Sequence, residues 1–273
     1  MEESLTLNKP HLFTYFAPSS HHFKGLISIP HSGETIPSAF KSFLSQDLVA
    51  LGRDVDTKVH ELIDIAFLQE KGIGVLVSHI HRVCVDLNRH KDQAILCWKQ
   101  NTWGQELVTS QPSPDQIQDW ILDYHQPYFE ILSALTHELE KSLKLNQVPV
   151  IDLHSMPSKP TPYHLKQNPH QQTSRPDFCV SDQRGKTCSP EFIRWFHDTF
   201  NESGFESKMN DPYIGGFITI FLDHFKTNNI QIEINRSLYL DESTREIIEE
   251  KAISLKKKLT AILVSGFEKF SQT

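Results

Sequence analysis

Four short polar motifs each follow a strand-like apolar run: Pro30-His31-Ser32-Gly33-Glu34, the stretch from His81 to Arg89, Asp152-Leu153-His154-Ser155, and Gln231-Ile232-Glu233-Ile234-Asn235-Arg236. Together they supply two histidines, several carboxylates and a set of arginines. Those are the parts of a metal-dependent hydrolase for an anionic substrate. A catalytic zinc takes three ligands from His, Asp and Glu and leaves its fourth position to water. His31 leaves an apolar run for a Ser-Gly turn, and Glu34 follows three residues later. That short His-x-x-Glu spacing recurs in zinc hydrolases. His154 ends the apolar run 148–153, with Asp152 two residues before it. A single histidine most often only hydrogen-bonds a neighbouring group. Two, each at a strand end and each beside an acid, point to a metal.

Glu233 sits in an alternating strand, with Ile230, Ile232 and Ile234 on one face and Gln231, Glu233 and Asn235 on the other. A glutamate at a strand's carboxyl end is placed to act as general base on an activated water. A solvated edge-strand face is the alternative. Arg82, Asn88 and Arg89 lie within eight residues, with Asp86 among them. Guanidinium groups bind carboxylates bidentately and stay charged, so this group suits a substrate carboxylate. Arg82 could also polarise the scissile carbonyl. Otherwise the cluster is an Arg–Asp structural pair, and Asp86 is expected to bind one arginine in either case. Arg175, in Ser174-Arg175-Pro176-Asp177, is a candidate for a second carboxylate. No GxSxG elbow, P-loop or GxGxxG is present.

These motifs need a scaffold of strand ends. Apolar runs at 25–30, 74–78, 148–153, 177–180 and 230–234 read as strands, with a short one at 84–87. Helical spacing covers 46–70, with Gly72 as its stop. Ser113-Pro114-Asp115-Gln116 opens a helix that Pro127 should kink or break. Residues 189–203 form another helix. A last helix starts at Ser243…Glu246 and runs to about Phe270. Residues 155–176 read as one long loop. Strands alternate with helices, so the class is α/β, with a central mixed, mostly parallel sheet flanked by helices. A polar arm over 1–24 precedes one catalytic domain over 25–273.

With 273 residues the chain can bury a sizeable core. Its net charge of −7 argues against a nucleic-acid partner. No apolar run is long enough to cross a bilayer. An acidic start, no CxxC and four separate cysteines favour a cytoplasmic protein with free thiols.

The order HSG, DLNR, DLHS, RPD, Y-x-GG and a late Q-x-E-x-NR-x-LY resembles the N-formylglutamate amidohydrolase family from about residue 25 to about 242. The resemblance implies a zinc-carboxypeptidase-like (phosphorylase/hydrolase-like) fold, related to aspartoacylase, with one zinc per chain. It implies hydrolysis of N-formyl-L-glutamate to formate and glutamate, a late step of histidine breakdown in some bacteria. By position, His31 and His154 resemble zinc ligands, Glu233 the general base, and Arg82, Asn88 and Arg89 the substrate group. For the third ligand the carboxypeptidase pattern suggests Glu34 and the formylglutamate pattern Asp56. The chain departs from the family pattern at 124–129, where a histidine is expected near Phe129. Two rival readings keep the fold: a related deacylase or carboxypeptidase-like peptidase, and a non-catalytic binding module.

Overall fold

The structure, a computed structural model, describes residues 9–19, 22–145 and 147–272. Seven strands among them form one sheet: β1 (Phe13–Phe16), β2 (Gly25–Ile29), β3 (Ile73–Ser78), β4 (Val148–Met156), β5 (Phe178–Ser181), β6 (Ser207–Met209) and β7 (Thr227–Asn235). Their order is β1-β3-β2-β4-β7-β5-β6. The central strands β3, β2, β4 and β7 are parallel, while β1 runs against β3 and β5 against β7, with β6 parallel to β5. The mixed, mostly parallel α/β sheet expected from the sequence is therefore present.

Helices cover both faces, as parallel strands require. On one face, Ile27, Ile29, Val75, Val77, Ile151, Leu153, Ile230 and Ile232 pack with helices α6 (Pro190–Glu202) and α8 (Glu249–Phe270). On the other, Leu26, Leu76, Val148 and Val150 pack with α4 (Gln126–Leu143) and α7 (Phe217–Leu222). Side chains alternate along a strand. Asp152 and His154 therefore continue the face of Val148 and Val150, and Ser28 continues that of Leu26. The register sets Ser28, Asp152 and Gln231 side by side and places Glu233 beside His154. This second face is apolar at the amino ends of the strands and polar at their carboxyl ends, where α/β sheets bind ligands.

Several elements differ from the sequence reading. The stretch 46–70 is not one helix. Asp47 caps α1 (Leu48–Gly52) and Asp64 caps α2 (Ile65–Glu70), and an inward loop between them has Lys58 at φ 55°. Pro127 does not break its helix. A π-turn over Ile121–His125 joins α3 (Pro114–Trp120) to α4, and the wide turn absorbs the missing proline N–H. Residues 84–87 form no strand; Val85 makes only an isolated bridge to Ile95. Within 155–176 the chain extends β4 to Met156 and then forms α5 (Pro162–Gln167). Residues 1–8 of the expected arm lie outside the described residues, but Phe13–Phe16 is an edge strand of the sheet. The expected capping box Ser243…Glu246 is instead the turn of a small hairpin, Leu240–Asp241 with Glu246–Ile247. There the Asp241 carboxylate accepts from the Ser243 hydroxyl and backbone N–H, and α8 starts only at Glu249.

Candidate active site

The carboxyl ends of β2, β4 and β7 open into a cleft of about 380 Å³. Pro30 ends β2, and His31 turns inward with 2 % of its surface exposed. Its Nε2 lies 2.8 Å from Asp86 Oδ1. His154, from the end half of β4, has Nε2 2.8 Å from Asp152 Oδ2. Each imidazole is thus fixed from behind by a buried carboxylate. Their other nitrogens meet at Asp56, whose Oδ2 lies 3.0 Å from His154 Nδ1 and 3.8 Å from His31 Nδ1. His31 Nδ1 is buried and has no hydrogen-bond partner.

Ligand atoms of His31, Asp56 and His154 lie within 4.8 Å of one another, and all three residues are buried. An orphaned ring nitrogen, a shared carboxylate oxygen and carboxylates behind both rings fit a divalent metal with N and O donors. Zinc suits that donor set. The structure does not bring Glu34 into the cluster. Gly33 runs against the backbone of His79, where a Cβ would lie 2.3 Å from the carbonyl carbon. Beyond that contact Glu34 turns outward, with its carboxylate 60 % exposed and 3.6 Å from Arg245.

Electrostatics follow from burial and the dense charge. Burial and the Arg82 charge lower the pKa of His31. Burial opposes the charged form of His154 too, but Asp152 and Asp56 hold its pKa well above the ordinary imidazole range. Asp56 is held below the carboxylate range, against the cost of burial, by both histidines and Arg236. Burial pushes Glu233 up to about 7, with the His154 charge opposing it. A buried glutamate with a pKa near neutrality is a general-base candidate.

Glu233 is held by its own strand. Gln231 Nε2 donates to Glu233 Oε1 at 2.8 Å, and Gln231 Oε1 accepts from the backbone N–H of Gly216 and from Asn88 Nδ2. Asn88 Oδ1 accepts from the backbone N–H of Ile218. Asn88 thus ties the DLNR segment to the Gly-Gly turn and to Glu233, with one amide hydrogen left over.

The arginines divide by how far they are committed. Arg82 Nη2 donates to Asp86 Oδ2 at 3.1 Å and Nη1 to the Asp54 carbonyl, while its buried Nε has no partner. Arg89 makes a looser 3.5 Å contact with Asp86 and lies over the Trp98 ring. Trp98 Nε1 also donates to Asp86, at 2.6 Å. Each nitrogen of Arg236 is engaged, on Ser155 Oγ, the Arg53 carbonyl and Asp56 Oδ1. Arg175 does not line the cleft; its Nη1 donates to the hydroxyl of Tyr213, which does. At the position where the sequence departs from the family pattern, His125 stacks on Phe129 and its Nε2 meets the Arg89 carbonyl at 3.0 Å.

Sequence reasoning passed over Gln231, Trp98 and Tyr213 as site residues. Gln231 was readable, because it shares the strand face of Glu233 two residues away. Trp98 and Tyr213 reach the cleft from loops, and no periodicity marks them.

A buried His–Asp–His cluster beside a glutamate, with arginines around the cleft, gathered at the carboxyl ends of the strands of an α/β sheet, defines a hydrolase-type centre. The family model for N-formylglutamate amidohydrolase matches residues 23–240, well over half of the sequence, and the chain belongs to this family. It is 26% identical over 269 residues to an N-formylglutamate deformylase of Pseudomonas aeruginosa, covering 90% of this chain and 95% of that one. The crystal structure of an N-formylglutamate amidohydrolase from Ralstonia eutropha superposes with a TM-score of 0.81 at 25% identity, covering 95% of this chain and 98% of that one. A protein of Agrobacterium tumefaciens shares the fold at a TM-score of 0.70 and 14% identity, over 96% of both chains. The chain is a hydrolase acting on an amide bond.

Proposed function

We propose that this enzyme hydrolyses N-formyl-L-glutamate, or a close N-acyl acidic amino acid, to formate and glutamate. It uses one zinc ion held by His31, Asp56 and His154. The observation that carries this reading is the opposed pair of histidines, each backed by a carboxylate and each turned towards Asp56. Bound zinc supplies Lewis-acid activation of water, lowering its pKa towards about 7. Glu233 takes a proton from the attacking water and returns it to the departing amine nitrogen. Its buried position, held by Gln231, keeps the carboxylate basic enough for this near neutral pH. Arg82, which lines the cleft, donates from its guanidinium to the scissile carbonyl, where negative charge develops. Arg89, less committed than Arg82, closes on the α-carboxylate, and the remaining amide hydrogen of Asn88 assists it.

A supply of formylglutamate from histidine breakdown and a cytoplasmic setting belong to the same proposal. They are supported by the family and by the buried free thiols Cys84, Cys179 and Cys188. No described helix is long and apolar enough to cross a membrane. The testing experiment is a turnover screen of N-formyl-, N-acetyl- and N-succinyl-amino acids, with and without chelator. Chelator-sensitive hydrolysis led by formylglutamate is expected. Preference for a large acyl group would move the assignment to a general deacylase, and no turnover at all would leave a binding module.

A further inference from the structure

Tyr213 lines the cleft and its oxygen meets two side chains. Arg175 Nη1 lies 2.6 Å from it, and a guanidinium can only donate. His164 Nε2 lies 3.1 Å from it on the other side. The tautomer of His164 settles the direction of that second bond. The backbone N–H of Thr161 points at His164 Nδ1 at 3.2 Å, so Nδ1 carries no proton and the Thr161 hydroxyl, 2.6 Å away, donates to the same nitrogen. The neutral ring therefore has its hydrogen on Nε2 and donates it to Tyr213. Burial and the nearby Arg175 charge push His164 down to about 4, so the ring is neutral at working pH.

Both acceptor positions of the phenol oxygen are then filled, and its own hydrogen has no acceptor among the described residues. It is free to point into the cleft. Behind it, Arg175 is only 6 % exposed, and its Nε and Nη2 are buried without partners. No carboxylate of the described residues lies within ion-pair distance of it. Arg82, Arg89 and Arg236 each have an aspartate. A buried cation without an anion is unfavourable unless a ligand supplies one.

We propose that the free O–H of Tyr213 receives the side-chain carboxylate of an acidic substrate, with Arg175 and His164 as positioning residues that hold the phenol oxygen. The Arg175 charge reaches the substrate through Tyr213, not by direct contact. This rests on the N-acyl acidic amino acid reading and assigns the group that makes the substrate acidic.

The test compares kcat and KM for formylglutamate and formylglutamine on the parent, Tyr213→Phe, Arg175→Met and Arg175→Lys. Phenylalanine keeps the ring and removes only the hydroxyl. The expected result is a rise in KM for formylglutamate of about 10- to 100-fold in Tyr213→Phe, the worth of one hydrogen bond to a charged group. The kcat should hold within about threefold, and the KM for formylglutamine, whose amide oxygen accepts only a neutral hydrogen bond, should rise by less than about tenfold. Arg175→Met should act in the same direction, with part of the preference restored by lysine. Equal use of both substrates by the parent overturns the proposal, as does an unchanged preference in Tyr213→Phe. So does a fall in kcat shared by both substrates, which would move Tyr213 to the reacting carbonyl. Calorimetric binding of glutarate against butyrate separates this proposal from the substrate reading. If the parent hydrolysed neither formyl compound, Tyr213→Phe should still weaken glutarate binding by the same factor, and unaltered glutarate binding would overturn the proposal.

Discussion

Replacing Asp152 by asparagine should loosen the metal without disturbing the fold. Asp152 is fully buried. Its Oδ2 lies 2.8 Å from His154 Nε2, and its Oδ1 accepts from Ser28 Oγ at 3.0 Å. The carboxylate holds a proton on Nε2, so Nδ1, on the Asp56 side, is the nitrogen that gives up its proton and offers a lone pair when a metal binds. Asparagine has the same shape, and either amide orientation can be satisfied, because the Ser28 hydroxyl can reverse against Tyr128. Two effects then weaken the ligand. The negative charge behind the ring is lost, and the amide NH2 can instead stabilise the wrong tautomer, with its proton on Nδ1. Outer partners of metal-bound histidines are worth about 10- to 100-fold in affinity, or roughly 1.4 to 2.8 kcal/mol. The assay is competition for zinc against a chromophoric chelator, with thermal unfolding of the apo-protein as control. Affinity within twofold of the parent would refute the carboxylate-backed geometry of His154. A large loss of apo-protein stability would show that Asp152 serves the core instead.

The remaining expectations concern the same centre. Asp56→Ala should lose metal and activity together, as should His31→Ala and His154→Ala. Glu34→Ala should keep both and change stability by less than about 1 kcal/mol, because its ion pair with Arg245 is exposed. Metal content by atomic emission decides between the two acids. Glu233→Gln should keep zinc and fold and lose about 10²-fold or more in kcat with little change in KM. The base must be deprotonated to act, so the parent's kcat/KM should fall about tenfold per unit below the Glu233 pKa. That limb should lie at or below about 7, since a bound cation favours the carboxylate. Gly216→Ala would place a Cβ 2.2 Å from the Asn88 amide and displace the hold on Gln231 and Glu233. Steady-state kinetics should show kcat/KM lowered between about 10- and 100-fold, with a stability loss of about 1–3 kcal/mol from the overpacked turn.

His31, His154 and Glu233 were legible in the sequence because strand ends announce themselves locally: an apolar run, a stop, and a polar residue at the next inward position. Alternation alone placed Glu233 on the site face. Asp56 was harder, since it reaches His154 across 98 residues of chain. Helical spacing over 46–70 also concealed the inward loop that carries it. Choosing between Glu34 and Asp56 required knowing that Gly33 packs against the backbone of His79, a contact no local pattern encodes. The DLNR arginines were readable as a cationic group, but their division of labour was not. Arg175 was read as a direct carboxylate binder, and the structure places it behind Tyr213. At the C-terminal helix, Asp241 took the hydrogen bonds that a capping box at Ser243 would have used. Short polar side chains compete for the same backbone donors, and tertiary context chose between them.

The most direct test of the metal centre is zinc content measured together with formylglutamate turnover, on the parent and on Asp56→Ala. One zinc per chain in an active parent, with both metal and turnover lost in the variant, is the predicted result. A parent that turns over formylglutamate without bound metal, or an Asp56→Ala variant that retains stoichiometric zinc and activity, would contradict it.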